Sequence, residues 1–133
     1  MFIETGIRKD KKIKITYYQD TQIFCKEYCS SISLNEIKES WNYCIEHDLI
    51  PQNCIGILLD YRDASFEMNL REIFDLAEFY DTKLNRINQK KVAILTERPD
   101  QIVIPTLLSQ KSKRFNIRIF TNLRPSISWI KAS

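Results

Sequence analysis

The chain has 133 residues, of which 44% are hydrophobic and 28% are charged, the size and composition of one soluble globular domain. Its 20 basic and 17 acidic residues leave a net charge of +3, too small and too dispersed a surplus to predict a nucleic-acid partner. No apolar run approaches the roughly 20 residues that a membrane-spanning helix needs, and the charged opening MFIETGIRKDKK does not resemble a secretory signal, so we expect a cytoplasmic protein.

Alternation of apolar and polar residues marks the first two predicted strands. Residues 12–18 (KIKITYY) and 21–28 (TQIFCKEY) both follow the period of two that strands show. Only Gln19 and Asp20 separate them. This pattern predicts an antiparallel hairpin.

A helix is predicted next. Ser33 and Glu36 have the spacing of a capping box, in which each residue hydrogen-bonds the backbone of the other at a helix N-terminus. Pro51 lies beyond the predicted end of the helix. The apolar residues that recur on one helical face are Leu34, Ile37, Trp41, Cys44 and Ile45.

Three strand–helix pairs complete the chain. Short continuous apolar runs, typical of strands covered on both faces in a parallel sheet, predict strands at residues 54–61 and 91–97, and residues 116–122 (NIRIFTN) are predicted as the last strand. Apolar residues at helical spacing predict a helix after each strand: Leu70, Ile73, Phe74, Ala77, Tyr80 and Leu84 after Asn69; Ile104, Leu107 and Leu108 after Pro99; Ile127 and Ile130 after Pro125.

This element order predicts the fold class. A strand pair and a helix, followed by three strand–helix units, is typical of an α/β protein with right-handed crossovers. We predict a single domain over residues 1–133. Its sheet of about five strands is mixed but mostly parallel, opens with the antiparallel hairpin, and carries helices on both faces.

Charged and hydroxyl side chains gather where the predicted parallel strands end. In open α/β folds these ends and the following helix N-termini lie together and usually bind the ligand. The residues placed there are Asp60, Arg62, Asp63 and Ser65 after one strand and Thr96 and Arg98 after the next. A structural role for Asp60 and Arg62, such as capping or a local ion pair, is the alternative.

Cysteine and histidine offer little for catalysis or metal binding. The spacings of Cys25, Cys29, Cys44 and Cys54 fit no zinc pattern, and an intracellular chain with its own core needs no disulfide. His47 is the one histidine. We therefore predict buried, hydrophobic cysteines and no metal or cofactor.

Several enzyme classes lack a residue that their chemistry needs. The segment LLDYRDASFE resembles the start of a rhodanese, but no cysteine follows Cys54 to act as nucleophile. The chain contains two glycines, and neither forms a phosphate-binding loop. A response-regulator receiver would use Asp60 and Thr96, yet the acidic pair that holds magnesium and the later lysine have no clear counterparts.

The chain resembles the small STAS-like domains related to the sporulation anti-sigma-factor antagonist (SpoIIAA-like). The resemblance covers most of the chain from about Ile13. It is carried by SISLNEIKE, LLDYRDA, KVAILTE and the closing IFTNLRPSISWI. In the closing motif, Phe120, Thr121, Asn122, Trp129 and Ile130 occupy the expected places, and Ser126 stands where alanine is usual.

This resemblance implies a mixed sheet with packed helices and a switch without catalysis. In the best understood members, a partner kinase phosphorylates a serine in the loop after the third strand, which changes docking through the added negative charge. Ser65 is the corresponding serine here, flanked by Asp63 and Glu67 instead of the usual Asp-Ser-Ser-Gly context. Other members lack that serine and have been suggested to bind small apolar or lipid-like molecules, often as dimers.

The leading hypothesis is a non-catalytic regulatory or binding module that contacts a protein partner or a small ligand. The predicted contact residues are Asp60, Arg62, Asp63, Ser65, Thr96 and Arg98, with Ser65 as a candidate phosphorylation site. Two alternatives stay open: a receiver-like or small-molecule-processing enzyme that uses Asp60, and a homodimeric interaction protein.

Overall fold

The computed structural model describes residues 4–9, 12–84, 87 and 90–132. Across these residues, six strands form one sheet in chain order. The strands are β1 (Glu4–Lys9), β2 (Ile13–Tyr18), β3 (Ile23–Ser33), β4 (Gly56–Glu67), β5 (Lys91–Leu95) and β6 (Asn116–Phe120). The β1–β2 and β2–β3 pairs are antiparallel, and the pairs from β3 to β6 are parallel.

This sheet confirms the predicted α/β fold, which is mixed, mostly parallel and opened by a hairpin. β1 is an additional edge strand that was not predicted. Its sequence, ETGIRK, shows neither clear alternation nor an apolar run. An edge strand pairs on one side only and needs little apolar surface, which is why such strands escape a search for hydrophobic patterns.

The connection between β2 and β3 is longer than the predicted turn at Gln19 and Asp20. β3 begins at Ile23, two residues later than predicted. Gln22 has a positive φ of 61°, and its backbone N–H donates to Tyr18 O at 2.8 Å. The chain therefore reverses over residues 19–22.

Four α-helices accompany the sheet within the described ranges: α1 (Leu34–Glu46), α2 (Leu70–Lys83), α3 (Val103–Lys111) and α4 (Leu123–Lys131). The predicted capping box of α1 is confirmed, since Glu36 N donates to Ser33 Oγ at 3.2 Å and Ser33 N donates to Glu36 Oε1 at 3.0 Å. A short 3-10 turn, Pro99–Gln101, precedes α3. α4 begins two residues before the predicted Pro125.

Three helices share one face of the sheet. The larger core lies between this face and α1, α2 and α3. Trp41 of α1 is fully buried there, and its Nε1 donates to the Tyr80 hydroxyl at 3.3 Å. Lys26 of β3 is buried in the same core, with its ammonium 3.8 Å from the centroid of the Trp41 ring.

The opposite face carries α4, which confirms the prediction of helices on both faces. α4 packs against β4, β5 and β6. A Cβ atom at Gly56 would overlap Ile130 Cγ2, so this glycine lets α4 approach the sheet closely. The buried residues of this second core are Ile23, Cys25, Leu58, Ala93, Leu95 and Ile130.

β4 is the longest strand and extends past β5. β5 pairs with residues 56–60, so the rest of β4 continues beside β3. The β3–β4 register shifts between Glu27 and Cys29, where a β-bulge places one extra residue in β4. The strand predicted at residues 54–61 therefore continues to Glu67, and the loop that was expected between it and the helix after Asn69 is wrong.

All four cysteines are free thiols, and Cys25, Cys44 and Cys54 are buried as predicted. Cys29 is partly exposed. Among the helices that the structure describes, none is long and apolar enough to cross a membrane.

Candidate functional site

The strand register brings three polar residues, Asp60, Thr96 and Asn122, close to one level of the sheet. Asp60 pairs with Leu95, and Leu95 pairs with Phe120. Thr96 follows this level by one residue and Asn122 by two. The carboxyl ends of β5 and β6 therefore lie beside the middle of β4, and we call this level of the sheet the rim.

Asp60 and Arg62 form a bidentate ion pair at the rim. Arg62 Nε donates to Asp60 Oδ1 at 3.0 Å, and Arg62 Nη2 donates to Asp60 Oδ2 at 2.9 Å. The Arg62 backbone N–H donates to the same Oδ1 at 3.0 Å. Hydrogen bonding to Asp60 raises the pKa of the Arg62 guanidinium above its ordinary value. The two-residue spacing and the bulge in β4 thus fold Arg62 back onto Asp60.

A cavity of about 130 Å³ opens beside this ion pair, on the sheet face that carries α4. Apolar side chains of β3 and β4 form its floor, and Leu123 and Ile127 of α4 form a wall. Glu27, Asp60 and Arg62 form its polar end. The complete lining is Tyr18, Thr21, Ile23, Cys25, Glu27, Leu58, Asp60, Arg62, Leu123 and Ile127.

The thiol of Cys25 lies in the floor of the cavity. Burial raises the pKa of Cys25, and the carboxylates of Glu27 and Asp60 raise it further. The cations Lys14 and Arg62 lower the pKa of Cys25, but by less than the carboxylates raise it. Because a thiolate is the nucleophilic form, Cys25 serves as apolar lining and not as a nucleophile at neutral pH.

Gln101 holds the edge of β4 beyond the end of β5. Its Nε2 lies 2.8, 2.9 and 2.8 Å from the carbonyl oxygens of Tyr61, Arg62 and Ala64. Its Oε1 accepts from the backbone N–H groups of Glu97 at 2.6 Å and Arg98 at 2.9 Å. The side chain is fully buried, so it replaces the backbone partners that a longer β5 would provide.

The side chains of Arg98 and Thr96 also hydrogen-bond to backbone carbonyl groups. Arg98 Nη2 donates to Ala64 O at 3.2 Å, and its Nε donates to Asp100 at 3.1 Å. Thr96 is fully buried, with Oγ1 at 3.4 Å from Phe120 O. Arg98 keeps exposed surface at the rim, whereas Thr96 has no side-chain surface to offer a partner.

Asp63 and Ser65 lie farther along β4 and are exposed. Ser65 pairs with Ser31 of β3, and the Ser31 hydroxyl donates to Glu67. Ser65 therefore belongs to a strand and not to the loop expected of it. Neither Asp63 nor Ser65 lines the cavity.

The cavity brings in residues that sequence reasoning missed. Ile23, Cys25 and Glu27 alternate along β3 and share one face, a pattern that is readable in the sequence. The position of Leu123 and Ile127 above that face is not readable, since it depends on where α4 packs. For Gln101, the sequence gives no indication of this role apart from its position after Pro99.

Metal-dependent chemistry finds no support in the side-chain arrangement. No group of three or more His, Cys, Asp or Glu side chains suited to a metal ion occurs in the part of the chain that the structure describes. Both carboxylate oxygens of Asp60 are already engaged by Arg62. A phosphoacceptor role at Asp60 would require this ion pair to open.

Comparison with models of known protein families finds no match, and neither does comparison with curated proteins. Among solved structures, the chain is similar to an uncharacterised protein from the DUF3478 family, with a SpoIIAA-like fold, from Shewanella loihica PV-4. The two chains are 15% identical with a TM-score of 0.52, and the match covers 98% of this chain and 95% of that one. The similarity shows that this chain has a SpoIIAA-like fold, as the sequence resemblance predicted.

Proposed function

We propose that this SpoIIAA-like chain is a non-catalytic, intracellular binding module whose contact site is the cavity together with the exposed rim. The observation that carries the proposal is a partly enclosed, mainly apolar cavity with a fixed ion pair at one end. Ligand sites commonly combine an apolar lining with a few placed polar groups, and this cavity has that composition. Asp60 and Arg62 contribute the polar groups, and the exposed side chains of Asp63 and Ser65, farther along β4, and of Arg98, after β5, extend the proposed contact surface.

The state of the reactive side chains supports binding over catalysis. Cys25 is held as a neutral thiol by burial. Both carboxylate oxygens of Asp60 are engaged by Arg62, and Thr96, the hydroxyl that a receiver-like reaction would use, is buried. These observations disfavour the receiver-like alternative. The homodimer alternative stays a prediction, which sedimentation velocity would test.

Regulation by phosphorylation at Ser65 is part of the same proposal. The Ser65 side chain is exposed, so a kinase can reach it. A phosphate there would add up to about two negative charges next to Asp63 and Glu67. The expected consequence is a change in partner docking caused by the added negative charge.

The experiment uses two cysteines of β3 as a matched pair. Cys25 lines the cavity and Cys29 does not. We expect small apolar fragments to shift the amide NMR signals of cavity residues, and Cys25→Met, which fills the cavity, to abolish these shifts. Cys29→Met should leave them unchanged. Fragment binding that survives Cys25→Met, or that never affects cavity residues, would contradict the proposal.

A further inference from the structure

The cavity has the volume for an apolar group of about six carbons. Ile23, Cys25 and Leu58 in its floor are all buried, and Leu123 and Ile127 face them from α4. Its volume of about 130 Å³ is close to the ~150 Å³ of an engineered apolar cavity that binds benzene. A six-membered ring, or a linear chain of six carbons, is therefore the natural occupant of the apolar part.

The polar end of the cavity offers acceptors more readily than donors. Arg62 directs its Nε and Nη2 donors at Asp60 through two side-chain hydrogen bonds. Asp60 keeps acceptor capacity on Oδ2, since each carboxylate oxygen has two lone pairs and Oδ2 accepts one of these bonds. Glu27 stands beside Asp60 across the β3–β4 pair. Within the described residues, the Glu27 carboxylate makes no hydrogen bond or ion pair with another side chain, so its oxygens are available to a ligand.

Charges around the polar end are negative in sum. Glu27 and Asp60 lie in the lining, and Asp63 and Glu97 are close enough to Arg62 to act on its titration. The opposing cations are Arg62 and Lys14, which lies opposite Glu27 on β2. Arg98 at the rim adds a third cation and its partner Asp100 adds a fifth carboxylate, so five carboxylates against three cations leave an excess of negative charge among these groups.

We propose, building on the function proposed above, that the cavity binds a small primary amine that carries a six-carbon ring or chain. The apolar part occupies the space between the sheet and α4, and the ammonium group lies between Glu27 and Asp60. Three N–H donors of an ammonium match carboxylate acceptors, and each bond is charge-assisted. A carboxylate ligand of the same size would instead meet Glu27 and an arginine that is already paired.

The test compares three ligands of equal chain length and different charge: hexylamine, hexanol and hexanoate. Each is titrated into the full chain at pH 7 and low salt, with amide NMR shifts of cavity residues as the readout. We expect hexylamine to bind at least about tenfold tighter than hexanol, and hexanoate to bind more weakly than hexanol. Raising the salt concentration should weaken hexylamine binding and leave hexanol binding unchanged, because only the first has an electrostatic component.

Glu27→Gln identifies the carboxylate that selects the amine. This substitution keeps the shape of the side chain and removes its charge, so we expect about a tenfold loss of hexylamine affinity with no change for hexanol. Retained hexanol binding also demonstrates that the variant is folded. Glu39→Gln, on the exposed surface of α1, is the matched control and should alter neither ligand.

The outcomes separate this inference from the proposed function. Tighter binding of hexanoate than of hexylamine would overturn the amine proposal and leave a binding module intact. Equal hexylamine affinity in the wild type and Glu27→Gln would overturn it as well. Absence of cavity shifts with all three ligands would reject both the amine and the cavity as a binding site for small molecules.

Discussion

At the scale of single residues, the rim depends on an amide that satisfies a strand edge. The carbonyl groups of Tyr61, Arg62 and Ala64 lie where β4 extends beyond the end of β5. The side-chain amide of Gln101 hydrogen-bonds to all three. Arg62 must be held at this position for its guanidinium to engage Asp60. Gln101 therefore supports the polar end of the cavity without lining it.

Replacing Gln101 tests how much its hydrogen bonds contribute to the free energy of unfolding. In Gln101→Leu, buried carbonyl and N–H groups lose their partner, and each such group costs about 1–3 kcal/mol. We expect a loss of about 3 kcal/mol or more in the free energy of unfolding, measured by urea denaturation. Gln110→Leu, on exposed surface of α3, should change stability by less than about 0.5 kcal/mol.

A small loss for Gln101→Leu, similar to that of the control, would mean that water or a shifted backbone replaces the amide. The NMR signals of residues 60–64 then offer a second readout. We expect them to move in Gln101→Leu and to stay in place in Gln110→Leu.

At the scale of elements, the position of α4 creates the cavity. Its Ile130 side chain packs on Gly56 at the start of β4, while Leu123 at its other end borders the cavity. The helix is thus anchored near its C-terminus, where Lys91 Nζ also donates to Trp129 O at 2.7 Å. The cavity lies at the N-terminal part of the same helix.

A double-mutant cycle at Gly56 and Ile130 tests this anchor. Gly56→Ala places a Cβ atom against Ile130, and overpacking of this kind typically costs about 1–3 kcal/mol. Ile130→Ala removes the obstructing atoms but loses apolar contact. We expect the double variant to be less destabilised than the sum of the single variants, by about 1 kcal/mol, in thermal or urea unfolding.

Strict additivity in this cycle would show that the two side chains do not meet, which would contradict the close approach of α4 to the sheet. We also expect Gly56→Ala to weaken fragment binding, because a displaced α4 carries Leu123 and Ile127 away from the cavity floor.

At the scale of the whole molecule, the two cores on opposite faces of the sheet share the same strands. Trp41 lies in the larger core, and Trp129 packs on the smaller one against Phe120. Because β4 and β5 contribute residues to both cores, we predict that they unfold as one cooperative domain.

The two tryptophans report separately on the two faces. In Trp129→Phe the remaining tryptophan fluorophore is Trp41, and in Trp41→Phe it is Trp129. In each variant we expect the fluorescence transition in urea to coincide with that of far-UV circular dichroism. Separate midpoints within one variant would show that α4 and the smaller core detach before the rest, and would contradict a single domain.

Local patterns account for the parts of the fold that were predictable. Three patterns predict their elements from a few neighbouring residues. They are the alternation of residues 12–18, the apolar run of KVAIL and the spacing of Ser33 and Glu36. β1 was missed because an edge strand requires no such pattern. The end of β4 was misjudged because its polar residues, up to Glu67, pair with β3, and pairing partners are distant in sequence.

The amino-acid sequence by itself determined the order of most elements, the parallel direction of the later strands and the presence of helices on both faces of the sheet, because periodicity and strand direction are local properties. Tertiary structure alone decided that Glu27 stands beside Asp60, that Thr96 is buried, that Gln101 holds the edge of β4 and that α4 leaves a cavity open. These features depend on strand register and on helix placement. Both are set by packing between segments far apart in the chain, which no short stretch of sequence specifies.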